Sequence, residues 1–208
     1  MKIENIRPNE IETRSFEIIT EILGDKELDP RYEAVIKRCI HTSADFEYAD
    51  SLYFTEGIIE TVQDAIKAGA YIVTDTKMAQ AGINKKRIEA FGGKVLCFIG
   101  DEDVASEAKE RGVTRSLVSM EKAAKLDRPV IFAIGNAPTA LLSIYDLVKA
   151  GKLNSAAVIG VPVGFVNVVE SKEKIIELGV PAIVARGRKG GSNIAAAIVN
   201  AIQYKIET

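Results

Sequence analysis

Residues 129–151 read PVIFAIGNAPTALLSIYDLVKAG. The first part, PVIFAIGN, is a short run of Val, Ile and Phe with no polar alternation, bounded by Pro129 and Gly135. A strand buried on both faces reads this way. In the second part Leu141, Ile144, Tyr145 and Val148 recur at helical spacing and share one face. Asn136 is the expected N-cap, Pro138 sits in the first turn, and Gly151 follows the end. A buried strand feeding a helix is the repeating unit of a parallel α/β sheet.

The same signal recurs on both sides of this unit. AYIVTD (70–75), KVLCFIG (94–100), AAVIGV (156–161) and PAIVAR (181–186) are further apolar runs rich in Val and Ile. Helical patterns separate them. In 55–68 the face is Ile58, Ile59, Val62, Ala65 and Ile66, and Gly69 stops the helix. In 193–204 it is Ile194, Ala197, Ile198, Ala201 and Ile202, with Ser192 as the expected N-cap. Alternation from about residue 55 onward predicts a five-stranded, mostly parallel sheet with helices on both faces. Residues 10–23 and 31–41 instead predict two helices with no strand between them. We assign residues 1–50 to a helical extension and 51–208 to the α/β body of a single domain. There is no repeat, low-complexity segment or linker to divide it.

Composition narrows the function. The chain has 208 residues, of which 47% are hydrophobic and 27% charged, with a net charge of -2. These are ordinary globular values, and a nucleic-acid binder would be clearly basic. No apolar run reaches the ~18 residues of a membrane span. The opening residues MKIENIRPNE lack an apolar signal region, so a cytoplasmic protein is expected. Cys39 and Cys97 lie far apart in apolar surroundings and read as buried thiols of a reducing compartment. With one histidine and two isolated cysteines no metal-ligand spacing is present, and no metal site is expected.

Ligands of an open parallel sheet bind beyond the carboxyl ends of its strands. The segments after the five runs are Asp75-Thr76-Lys77-Met78, Gly100-Asp101-Glu102, Gly135-Asn136-Ala137-Pro138-Thr139, Pro162-Val163-Gly164-Phe165 and Gly187-Arg188-Lys189-Gly190-Gly191-Ser192. They are rich in glycine, hydroxyls and cations, and three lead into helix N-termini, which favour anions. The last is the sharpest. Arg186, Arg188 and Lys189 stand beside two glycines that admit close approach, directly after a strand and before a helix. It matches neither a P-loop nor a GxGxxG fingerprint, so nucleotide use has no support. Asn136 to Thr139 serves equally as a helix start, and Pro162 to Phe165 equally as a tight turn. Asp75 at a strand end could suggest a phospho-accepting receiver, but Asp45, Glu47 and Asp50 are not placed to complete one. No G-x-S-x-G elbow exists, and neither cysteine has a catalytic setting. His41, in the run Arg38 to Phe46 (RCIHTSADF), is the chain's best residue for moving a proton at neutral pH. A lone histidine is more often structural.

Several motifs together resemble one family, the precorrin-8X methylmutases of cobalamin biosynthesis. They are Ile11 to Phe16 (IETRSF), Arg38 to Asp45 with its IHTSAD core, Thr74 to Met78 (TDTKM) and GNAPTAL (135–141). Gly160 to Phe165 follows, with Glu170-Ser171-Lys172 behind it, then GRKGGSNIAAAIVNA (187–201). The resemblance runs from about residue 8 to 203. It implies a flavodoxin-like three-layer α/β/α domain, no cofactor, and a homodimer with active sites near the subunit interface. It implies migration of a methyl group from C-11 to C-12 of a corrinoid ring, giving cobyrinate or hydrogenobyrinate. His41 is then the acid that protonates the ring. Such a substrate is a polycarboxylate tetrapyrrole. Its carboxylates are expected to meet Arg14, Ser15, Thr76, Lys77, Arg115, Arg188, Lys189 and Ser192. Gly164, Phe165, Gly190 and Gly191 are expected to supply surface for the flat ring, and Asn136 is expected to be a further substrate contact. Arg115 rests on the resemblance; alone it reads as a helix-start arginine. A tetrapyrrole carrier without chemistry would share the basic loops but need no proton donor, and a flavin or nucleotide binder would need phosphate fingerprints that are missing.

Overall fold

Every residue of Val130–Ile134, the strand β4, is buried, and its side chains split cleanly between two cores. Ile131 and Ala133 enter one apolar cluster, while Val130, Phe132 and Ile134 enter the other. Side chains alternate across a strand, so an apolar residue at every position means helices on both faces. The computed structural model describes residues 4–207.

In chain order the elements are α1 (Ile11–Leu23), α2 (Glu33–Ser43), α3 (Tyr48–Ser51), β1 (Leu52–Phe54), α4 (Ile58–Lys67), β2 (Tyr71–Thr74), α5 (Lys77–Gly82), α6 (Lys85–Ala90) and β3 (Lys94–Leu96). Then come α7 (Glu102–Arg111), α8 (Arg115–Ala123), β4, α9 (Pro138–Lys149), β5 (Ser155–Gly160), α10 (Val168–Leu178), β6 (Ala182–Ala185) and α11 (Ser192–Gln203). The sheet order is β1-β6-β5-β4-β2-β3. The five strands from β2 to β6 are parallel and correspond to the five apolar runs. Numbered among themselves they follow the flavodoxin order 2-1-3-4-5, which places the topological switch point between β2 and β4.

The sheet departs from the five strands expected. A sixth, β1, pairs antiparallel with β6 through Leu52–Ala185, Tyr53–Val184 and Phe54–Ile183. It is three half-buried residues at an edge, too short to leave a run or an alternation in the sequence.

α1 and α2 fall within about two residues of the ranges expected for two helices, 10–23 and 31–41, and α2 packs along α11. This explains why α11 is buried nearly all round: Ala195, Ala196 and Val199 join the face read from periodicity. No described helix is long and apolar enough to cross a membrane.

Two expected caps are corrected. The N-cap of α9 is Ala137, not Asn136, and no side chain caps it. The free N–H groups of Gly135, Asn136 and Ala137 donate instead to the Asp75 carboxylate, at 2.9, 2.8 and 2.6 Å. The N-cap of α11 is Gly191, and Ser192 is its first helical residue. The Ser192 hydroxyl is drawn sideways to Thr76.

Candidate active site

The switch point is pinned by two contacts. Asp75, at the end of β2, is 1% exposed and accepts the three N–H groups that open the β4–α9 loop. Burial pushes its carboxyl up, and those three donors pull against the shift. Next to it, the Thr76 and Ser192 hydroxyls lie 2.7 Å apart, and Thr76 Oγ1 caps α5 by accepting from the Ala79 N–H. Gly135 makes this approach possible. A Cβ there would stand 2.6 Å from the Ser192 Cα.

The loop from Gly187 to Gly191 crosses the carboxyl ends of β5 and β6. Gly190 lies so close to β5 that a Cβ would fall 2.0 Å from the Val161 carbonyl oxygen. The Gly191 N–H donates to that same oxygen at 2.9 Å. Arg188 is joined to the Gly164–Phe165 turn in three ways. Its carbonyl accepts from the Gly164 N–H at 3.1 Å, and its guanidinium donates to the Phe165 carbonyl at 2.7 Å. It also lies 5.5 Å from the Phe165 ring centroid. Phe165 is itself 81% exposed, with Val163 and Val166 exposed beside it. Cations next to uncovered apolar side chains suit a ligand that is flat and apolar at its centre and anionic at its rim.

His41 lies exposed near the C-terminus of α2. Its ring stacks on Phe16 of α1, with centroids 5.4 Å apart and planes at 19°. Arg38 covers the Phe16 ring as well and pairs with Glu12. After His41 the chain turns at Ala44, which is left-handed at φ 55°. Ser43 donates to the Cys39 carbonyl, and its Oγ accepts from the Asp45 N–H. The turn delivers Asp45 and Glu47 to Lys189, whose Nζ lies 2.6 Å from Asp45 and 2.8 Å from Glu47. The hydrogen bond from Lys189 holds the Asp45 carboxyl below its usual range, and the two carboxylates raise the Lys189 ammonium. The His41 segment and the cationic loop, far apart in sequence, are thus one structure.

Other expected contacts are more loosely joined. Lys77 Nζ donates to the Cys97 carbonyl at 2.8 Å, along the end of β3. The Asn136 side chain is exposed at the end of β4. Arg115 opens α8 and lines a hollow with Ser106 and Lys109 of α7. Its neighbour Thr114 donates to the hydroxyl of Thr139, in the first turn of α9, 2.9 Å away. Arg14 lies on the flank of α1 two residues from Phe16, about 200° around the helix. There it bonds Glu4, Glu17 and Glu21, and the Ser15 hydroxyl donates to the Ile11 carbonyl. The structure therefore gathers Thr76, Gly164, Phe165, Arg188, Lys189, Gly190, Gly191 and Ser192 with the His41 segment, and leaves Arg14 facing away from the His41–Phe16 stack.

Three residues of this region are not singled out by local reading. Phe16 and Lys172 appear only within motifs, and Asp75 only within a strand-end segment, a motif and a receiver reading that is set aside. Lys172 nevertheless lies on the apolar stripe of α10 with Val168, Ser171 and Ile175, a spacing that marks it as inward-facing.

Fold and site define a doubly wound α/β protein whose strand-end loops gather cations, hydroxyls and close-packed glycines, and are tied through Lys189 to the turn that follows the histidine-bearing helix α2. The precorrin-8X methylmutase family model matches residues 10–205. The cobalt-precorrin-8 methylmutase of Priestia megaterium is 47% identical over 197 residues, covering 95% of this chain and 88% of the relative. That of Salmonella typhimurium is 43% identical, covering 96% of each. The precorrin-8x methyl mutase structure from Thermus thermophilus superposes with a TM-score of 0.86 at 38% identity, covering 94% of this chain and 95% of that one. The chain belongs to the precorrin-8X methylmutase family.

Proposed function

We propose that this chain is an isomerase of cobalamin biosynthesis that moves a methyl group from C-11 to C-12 of a corrinoid ring, with His41 as general acid. The observation that carries the reading is the junction of the His41 turn with the cationic loop through Lys189, Asp45 and Glu47, beside the exposed Phe165. A methyl shift around a conjugated ring asks for no nucleophile from the protein. It asks that the ring be held in place and that a proton be available at its edge. Substrate and product are isomers, so a proton delivered to the ring is matched by one given up.

The loops divide the work. Arg188 and the hydroxyls of Thr76 and Ser192 take the carboxylate rim, while Phe165, Gly164 and the Gly190–Gly191 pair provide a surface for the ring. Phe16 orients the imidazole by stacking, which leaves its nitrogens free to face the ligand. We place the enzyme in the cytoplasm as a homodimer with sites near the subunit interface. The Priestia and Salmonella relatives both carry cobalt-precorrin-8 in their names, which favours the cobalt-containing substrate. Assaying the protein with cobalt-precorrin-8 and metal-free precorrin-8X, by the absorbance change of the ring, tests the reading. Turnover of the cobalt substrate is expected. Tight binding without isomerisation of either substrate would make the chain a tetrapyrrole carrier instead.

A further inference from the structure

We infer that Lys172 is a positioning residue of this site, holding the cationic loop in its ligand-receiving shape from beneath. Its side chain is fully buried on α10, and its ammonium donates to the carbonyls of Gly187 and Lys189, each at 2.8 Å. Those two residues bracket Arg188. Both residues belong to the exposed segment 186–189, and their carbonyls are turned inward onto the buried ammonium.

A buried ammonium is costly. It gives up hydration and has no carboxylate partner among its hydrogen bonds, and burial lowers it to about 8. An apolar side chain on the same stripe as Val168 and Ile175 would serve the core at lower cost. The ammonium is retained where the groups it holds are the backbone of the loop that presents Arg188 and Lys189. A loop fixed in advance pays no ordering entropy when the ligand arrives. Releasing it would cost about tenfold in affinity for each backbone residue that must be re-ordered. The inference rests on the reading of this loop as the seat of the substrate carboxylates.

The test compares wild type with Lys172→Met, which fills the same volume without donors, and Lys172→Arg, which keeps a cation and donors. Each is assayed with cobalt-precorrin-8 after its melting curve shows that it is folded. Lys172→Met is expected to melt within a few degrees of wild type, to raise KM about 10-fold or more, and to change kcat by less than about 3-fold. Lys172→Arg should recover most of the lost KM. Amide exchange of residues 186–191 should quicken in the Met variant without ligand. An unchanged KM, or a failure of both variants to fold, overturns the inference and leaves Lys172 a residue of fold stability. Wild-type protein that neither binds nor isomerises the ring refutes the reading of the site itself, a distinct outcome.

Discussion

Lys189 Nζ lies 2.6 Å from Asp45 Oδ2, so the turn that follows His41 is tied to the loop that precedes α11. Lys189 is therefore not a free cation waiting for a substrate carboxylate, whereas the Arg188 fork sits over Phe165 with an exposed face. Asp45 is depressed by this pair. The junction is accordingly intact above the ordinary Asp value of about 3.9 and is lost as pH falls through the lowered one. Removing both cations (Arg188→Ala with Lys189→Ala) is expected to weaken binding of the corrinoid product at least 10-fold and to flatten its salt dependence. Lys189→Ala alone should lower kcat more than affinity, because it frees the His41 turn. Equilibrium titration at two ionic strengths checks this, and unchanged affinity in the double variant would place the loop in solvent.

Asp75 should matter for stability. Asp75→Asn turns an NH2 group toward N–H donors of the β4–α9 loop, so at least one buried acceptor is lost and two donors face each other. We expect a loss of about 2–3 kcal/mol in urea unfolding. A change under about 0.5 kcal/mol would mean that the loop finds other acceptors at no cost.

Both cysteines are buried and unpaired, and burial pushes the Cys39 thiol up to about 12. Thiol reagents act on the thiolate. At pH 8 the native protein is expected to leave Cys39 unlabelled for as long as the fold persists, and denatured protein to label both cysteines at once. Rapid labelling of native Cys39 would contradict the packing of α2 against α11.

The sheet is readable because its central parallel strands are covered on both faces, so sequences such as Val130–Ile134 carry no polar residue to blur them. Leu52–Phe54 is not readable, since its strand character comes from pairing with β6 and not from its own pattern. Site residues divide in the same way. Arg188, Lys189 and the glycines announce themselves by residue type and by their place after a strand. Residue type alone makes Ser192 a cap, but Thr76, 116 residues earlier, claims its hydroxyl. Asp75 meets its N–H partners about 60 residues away, which no local window contains. Lys172 shares its helical spacing with Val168 and Ile175, but a lysine is mostly exposed, so residue type and spacing point in opposite directions there. The role proposed for His41 rests on the motifs around it, because a single histidine says little about what it touches.

His41 is the centre of this account, and the direct test is His41→Ala assayed for methyl migration on cobalt-precorrin-8 alongside a titration with the corrinoid product. The variant should bind the product with near wild-type affinity and lose turnover by about 10²–10⁴-fold, as expected for a positioned acid. Turnover close to wild type would contradict the assignment and remove His41 from the chemistry.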